Sequence, residues 1–236
     1  MAFPENLLFP PIETLHGWLT LHWPREAYAK QSVAVPSTGA APLDVLQQCC
    51  AVATKEAPKN IALRLAGAND GVAADLQAIT RLVQGLADFE KEPDAVNMTA
   101  EHYQTDGFSS GCQTLFYCIL LETTKKDDGG DKYVFGMAFI YLGCTKADGR
   151  FLYLEDLFIE ESYRSMGAGS AVMQTLATCA VALDCARVVW QALDWNTPAL
   201  TFYRKLGANV VDGLTTARFG AKDLERVAEL WNGSSV

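Results

Sequence analysis

Polar and apolar positions change period along this chain, and each change marks an element. IALRLA (61–66) alternates with the two-residue period of a strand. Asn69 or Asp70 can cap a helix, and Leu76, Ile79, Leu82, Val83 and Leu86 then fall on one face of it, down to about Ala87. Thr99, with His102 and Tyr103, predicts a second, short helix ending near Gly107. TLFYCILLET (114–123) and KYVFGMAFIYLGC (132–144) are rich in β-formers, and the polar KKDDGGD between them reads as a hairpin loop. FLYLEDLFI (151–159) is the next strand, after a KADG turn. Val172, Leu176, Cys179, Ala180 and Leu183 form one stripe of a helix running from Gly167 to about Leu183. ARVVWQALD (186–194) is a near-continuous apolar run, the mark of a strand buried on both faces. Asn196 or Thr197 can cap a last helix through Lys205, with Pro198 in its first turn and Gly207 as its stop. The order β-α-α-β-β-β-α-β-α-β predicts an α/β (α+β) domain in which helices flank a mixed, mostly antiparallel sheet.

Residues 1–58 differ in character. Prolines recur at Pro4, Pro10, Pro11, Pro24, Pro36 and Pro42, and SVAVPSTGAAP reads as a linker. DVLQQCCAVATKE (44–56) can form a short helix, and the aromatic LHGWLTLHW suggests docking on a core or a partner. The expected division is therefore an extension over 1–58, of no assignable role, and a domain over 59–236. MAFPENLLFPP lacks a basic n-region, and Glu5 and Glu13 argue against a transit peptide. No apolar stretch reaches membrane-spanning length, so a cytoplasmic setting is expected.

Composition narrows the function classes. Half of the 236 residues are hydrophobic and a fifth are charged, as in a globular protein with a sizeable core. A net charge of −9 argues against wholesale nucleic-acid binding, which needs a basic surface. The seven cysteines include no Cys-x-x-Cys pair and the three histidines are scattered, so no metal is expected. Most of the cysteines sit in apolar runs and read as small core residues.

Four motifs carry candidate chemistry. Arg164-Ser165-Met166-Gly167-Ala168-Gly169-Ser170 joins a strand to a helix. Its glycines let the backbone approach a ligand, the helix dipole favours an anion there, and Arg164 can add a charge-assisted contact. No Gly-Lys-Ser/Thr follows, so it is not a Walker loop, and the third glycine of a dinucleotide fingerprint is missing. Glu155-Asp156 interrupts an apolar strand. Strand neighbours point to opposite faces, so one of these acids is expected to face a buried side, capping a bulge, paired with a Lys or Arg, or raised in pKa as a general base. Trp195 to Tyr203 spans a turn and a helix, where Asn196 can hold a loop or a ligand amide and Tyr203 reads equally as packing. Phe89-Glu90 ends a helix with an acid, a placement that the helix dipole disfavours.

Together these motifs resemble the GNAT superfamily of acetyl-CoA-dependent N-acetyltransferases, whose signature Arg/Gln-x-x-Gly-x-Gly/Ala is matched by Arg164, Gly167 and Gly169. YLEDLFIEESYRSMGAGS and LDWNTPALTFYRKLGA, with LADFEKEPDAV and TDGF, are similar to the spermidine/spermine and thialysine acetyltransferase branch over roughly residues 60–220. The resemblance implies that acetyl-CoA is the co-substrate. It implies that backbone groups of Leu157, Phe158 and Ile159 pair with the pantetheine arm, and that Arg164, Ser165, Met166, Gly167, Ala168, Gly169 and Ser170 cradle the pyrophosphate. Asn196, Thr197, Pro198 and Ala199 would border the cofactor, and Tyr203 would protonate the leaving thiolate. Glu155 would accept the proton of the attacking amine, and Phe89, Glu90, Trp190 and Gln191 would line the groove of a cationic substrate. A homodimer is the family's common state. The chain departs from the pattern at Ser165, where glycine is usual, and in VVDGLTTARFG, which lacks the acid-Gly-Trp cluster found near the polyamine site.

The expected function is acetyl transfer to a primary amine of a small cationic molecule: a polyamine or diamine, or a thialysine-, lysine- or ornithine-like amino acid. FEK and LDWN lean toward the amino-acid side. Acetylation of a protein N-terminus or lysine, and a non-catalytic CoA- or polyamine-binding sensor, are the alternatives.

Overall fold

The computed structural model of the chain describes residues 13–14, 17–29, 41–67, 71–109, 114–123, 132–211 and 217–218. Its elements are β1 (Glu13–Thr14), β2 (Trp18–Pro24), α1 (Arg25–Tyr28), α2 (Pro42–Glu56), β3 (Ile61–Leu65), α3 (Val72–Glu90) and α4 (Ala100–Tyr103). After them come β4 (Tyr117–Thr123), β5 (Val134–Thr145), β6 (Gly149–Ile159), α5 (Ala168–Ala182), β7 (Arg187–Leu193), α6 (Thr197–Lys205), β8 (Asn209–Val210) and β9 (Ala217–Arg218). Seven strands form one sheet in the order β3-β4-β5-β6-β7-β2-β8. Its pairs are antiparallel except β6 and β7, so the fold is mixed α/β with a mostly antiparallel sheet, as expected. Asn69, Asp70, KKDDGGD, Cys112 and most of VVDGLTTARFG lie outside the described residues.

The two faces of the sheet bury separate cores. On one face α5 packs with Leu152, Leu154, Val188 and Trp190. On the other, α3 lays Leu76, Ile79 and Leu82 against Leu120, Met137 and Phe158. Helix α3 runs three residues past the expected end, because Lys91 takes the left-handed conformation (φ 65°) and donates its N–H to the carbonyls of Ala87 and Asp88. Phe89 and Glu90 therefore sit in its last turn. Thr99 caps α4 as expected, through a capping box in which its side chain accepts from the His102 N–H and the Thr99 N–H donates to His102 Nδ1.

The aromatic N-terminal segment docks on the core as expected, and α5 departs from its expected single stripe. Residues 18–24 form an internal strand, β2, paired with β7 on one side and β8 on the other. Trp23 is fully buried there and donates its indole N–H to Leu206 O at 2.9 Å. Helix α2 begins on Pro42, whose missing N–H costs nothing in a first turn, and buries Val45, Leu46, Cys49, Cys50 and Ala53. It packs on α5 and β3. As a result α5 is buried nearly all round rather than along one stripe, since α2 covers the side turned away from the sheet. The described part of residues 1–58 thus shares the sheet and core of the residues that follow, and no break in packing falls at 58–59. Among the described residues no helix is long and apolar enough to cross a membrane.

Candidate active site

A register shift in β6 builds the centre of the site. Phe139 of β5 pairs with Asp156 and Ile140 pairs with Leu154, which leaves Glu155 as the extra residue of a bulge. Up to the bulge, Leu152 and Leu154 face the α5 core; beyond it Phe158 faces the α3 core. The bulge thereby turns both Glu155 and Asp156 into one cleft. Regular alternation, the sequence-based expectation, would have sent them to opposite faces.

Beside the bulge the sheet opens. The parallel pairing of β6 with β7 ends at Leu154 and Trp190. Glu160 N–H donates to Phe135 O across the β5 edge at 3.0 Å. By strand alternation the N–H and C=O groups of Leu157 and Ile159 then face the opposite edge, where β7 has diverged. Phe158 differs from the expectation: its backbone is spent on β5, opposite Met137, and its ring is buried in the α3 core.

The open edge leads to the N-terminus of α5. Gly167 is the N-cap residue at φ 87°, and no side chain caps the helix. The first intrahelical bond runs from Ala171 N–H to Gly167 O, so the N–H groups of Ala168, Gly169 and Ser170 have no partner within the helix. An added Cβ at Gly167 would lie 2.7 Å from Pro58 Cγ, so the turn needs glycine for space as well as conformation. Ser165 holds φ 62° in the position where the family uses glycine. Met166 is exposed at the tip. Such a terminus accepts a phosphate through backbone donors and the helix dipole. Arg164 is engaged elsewhere: Nε donates to Ile159 O at 2.8 Å, and the guanidinium lies 5.1 Å from the Phe89 ring centre and 5.8 Å from that of Phe158. Arg164 thereby ties the strand end to α3 through Nε, and the turn offers main-chain N–H groups beside it.

Across the sheet from α5 lies a cleft of about 370 Å³. Its walls come from the C-terminal half of α3, residues 95–98, Tyr103, Phe116, Phe139–Tyr141 and the bulge. Three acids open into it: Glu90, Glu155 and Asp156. Burial, with the charge of Asp156 and then Glu92, pushes Glu90 up to about 7. Burial and the neighbouring Glu155 raise Asp156 to about 6. Burial also raises Glu155, opposed by a hydrogen bond from the Tyr141 side chain. Partly desolvated carboxylates of this kind can take a proton near neutral pH.

Tyr203 sits on the other face of the sheet. It is buried, with its ring 5.0 Å from that of Trp190, the last β7 residue paired with β6. Burial raises its phenol to about 12, so it keeps its proton at neutral pH. Asn196 caps α6, its side-chain oxygen accepting from Ala199 N–H at 3.3 Å. Thr197 and Pro198 are exposed at that helix start and Ala199 is half-buried.

Of the four residues expected beside Glu155 in the substrate groove, Glu90 alone lines the cleft. Trp190 is 1% exposed and belongs to the α5 core. Gln191 is half-buried opposite Thr20 of β2, and the Phe89 ring packs against Trp195 with centres 5.5 Å apart. The apolar run of β7 could not reveal which face Trp190 takes. Residues that the sequence reading missed are Asp156, Tyr103, Phe116, Phe139 and Tyr141. Only Asp156 carried a signal, as an acid in an apolar strand.

Residues 86–208, just over half of the chain, match the Acetyltransferase (GNAT) family. The bovine thialysine N-epsilon-acetyltransferase is 32% identical over 57% of this chain and 78% of its own length. The human spermidine/spermine N(1)-acetyltransferase-like protein 1 is 30% identical over 64% of this chain, but the match spans only 22% of that longer protein. An integron cassette protein from the mobile metagenome of V. cholerae shares the fold, with a TM-score of 0.55 at 20% identity over 72% of this chain and 98% of its own. With its bulged acids, its splayed strands and its uncapped α5, the chain belongs to the GNAT family and is an N-acetyltransferase of the branch that holds the diamine and thialysine enzymes.

Proposed function

We propose that the protein uses acetyl-CoA to acetylate, by direct transfer, a primary amine of a small cationic substrate, a diamine or polyamine or a thialysine-, lysine- or ornithine-like amino acid. One observation carries this reading. The bulge turns Glu155 and Asp156 into a cleft beside the open edge of β6, and that edge leads to the uncapped N-terminus of α5.

The residues present fit acetyl-CoA. The N–H groups of Ala168, Gly169 and Ser170 hold the pyrophosphate, and the outward N–H and C=O of Leu157 with the Ile159 N–H receive the pantetheine arm as an added strand would be received. When bound, the co-substrate supplies the acetyl group as a thioester. The acceptor arrives as an ammonium ion, drawn by Glu90, Asp156 and Glu155. Glu155 takes its proton, directly or through a water, and frees the nitrogen lone pair. The nitrogen attacks the acetyl carbon, and as the C–N bond forms and the C–S bond breaks it releases its second proton to solvent. Tyr203 gives its hydroxyl proton to the departing sulfur and recovers one from solvent. An N–H at the open edge of β6 stabilises the developing oxyanion. The acids and Tyr203 approach the splay from opposite faces, which suits an amine entering on one side and a thiol leaving on the other. Holding both reactants in one cleft supplies much of the rate by proximity.

The test is acetyl-CoA turnover against an amine panel. Amine-dependent release of CoA is expected. Folded protein that binds CoA and releases none with any amine refutes the enzymatic reading, and folded protein with no affinity for CoA refutes the whole of it.

A further inference from the structure

The carboxylates occupy one side of the cleft, and the rest of its wall is of a different kind. Phe116 and Phe139 pack with ring centres 4.8 Å apart, and Tyr103 meets Phe116 edge-on at 6.2 Å and Phe139 at 5.8 Å. These three rings line the cleft together with Val83, Leu86 and Val96. The acids lie at the bulge of β6 and the last turn of α3, close enough that Asp156 feels the charge of Glu155, and Glu90 that of Asp156. Phe139 is the cross-strand partner of Asp156, so acids and rings meet inside one cleft, the acids suited to an ammonium group and the rings to carbon beside it.

We propose that the preferred acceptor is an arylalkylamine: one primary ammonium group held at Glu90, Asp156 and Glu155, and an aromatic body lodged against Tyr103, Phe116 and Phe139. This rests on the transferase reading above, acetyl transfer to a primary amine of a small cation, and departs from its diamine and amino-acid acceptors in the body that carries the amine. The physical reason is desolvation. A second or third ammonium group along a linear polyamine would have to leave water for a wall of aliphatic and aromatic side chains, a costly transfer without a charged partner. An aryl ring entering the same space gains apolar burial and edge-to-face contacts with the rings already there. Because Phe139 is the cross-strand partner of Asp156, a short tether between nitrogen and ring suits this arrangement.

The test measures kcat/KM with acetyl-CoA for 2-phenylethylamine, tyramine, putrescine, spermidine, lysine and thialysine. The arylalkylamines should exceed the linear diamines and amino acids by on the order of tenfold or more, the discrimination that apolar pocket contacts typically yield. A Met98→Glu variant provides a second arm. Met98 lines the cleft and is 39% exposed, so a carboxylate is tolerated there, and it should narrow or reverse the preference by giving a diamine a partner for its far end. Equal or higher kcat/KM for the diamines or amino acids in the unaltered protein overturns the aryl preference and leaves the transferase reading standing. No amine-dependent CoA release with any member of the panel removes both.

Discussion

The Tyr141 ring is stacked on that of Tyr153 with centres 4.8 Å apart and planes 15° from parallel, and its side chain acts on the Glu155 carboxyl to lower it. Burial raises the Glu155 carboxyl and the Tyr141 side chain opposes it, so Tyr141 favours the ionised base. Tyr141→Phe keeps the stack and removes the hydroxyl. The Glu155 pKa should rise further, moving the acid limb of the kcat/KM profile to higher pH. Below that limb the loss should be about 2- to 10-fold, the worth of one hydrogen bond. An unmoved limb would show that Tyr141 does not tune the base. Glu155→Gln should cost about 10²–10⁴ in kcat and abolish the limb.

Glu90 should make the protein less stable as pH rises. Its carboxyl is pushed up to about 7, by burial first and then by Asp156 and Glu92, from an ordinary value of 4.5. Between those two pH values the folded state holds the proton that the unfolded chain has released, so stability falls with rising pH. Each pKa unit corresponds to about 1.4 kcal/mol, and solvent screening of a half-buried group reduces the total to the order of 1–2 kcal/mol. Glu90→Gln cannot ionise. It should match the parent at pH 4 and exceed it at pH 8 by that amount in denaturant unfolding. A gap of the same size at both pH values would sink the argument.

How much of this was legible in the sequence depends on what each residue's signal reports. Helix α3 could be read because Leu76, Ile79 and Leu82 repeat at the helical period and pack as that period requires. The glycine turn could be read because Gly167 needs a positive φ that few other residues tolerate. The bulge at Glu155 stayed one alternative among several, since the adjacent acids hint at it but the register shift is a property of the pair β5–β6. Strand β2 lies among prolines in a segment that looks like a tail, yet it gains its place by pairing with β7, more than 160 residues away. Trp190 was misplaced for a related reason: an apolar run buried on both faces says nothing about which face meets the cleft.

The turn at the head of α5 should respond oppositely to two small substitutions. Ser165 holds φ 62°, where an L-residue is strained. Ser165→Gly removes about 1–2 kcal/mol of strain but adds backbone freedom to the unfolded chain. The net effect should be neutral to about 1 kcal/mol stabilising, with CoA affinity retained. Gly167→Ala forces a Cβ to within 2.7 Å of Pro58 Cγ at φ 87°. It should destabilise by more than about 1 kcal/mol and weaken CoA binding on the order of tenfold by moving the N–H groups of residues 168–170. Calorimetry with CoA on both variants decides. Unchanged affinity in Gly167→Ala would take the pyrophosphate away from this turn.

Tyr203→Phe separates packing from proton transfer. The phenol is buried against Trp190 and Phe202, and burial alone raises it to about 12. Among the described residues no hydrogen bond to its hydroxyl is formed, so removing the oxygen leaves no buried partner stranded and should change stability by less than about 1 kcal/mol. The ring still fills the core beside Leu200. If the hydroxyl protonates the departing sulfur, kcat should fall by about 10²–10³ while CoA affinity stays level. The loss should shrink when the leaving thiol is made more acidic, because a better leaving group needs no proton. A variant with unchanged kcat, or one whose deficit ignores the leaving group, would return Tyr203 to a purely structural role.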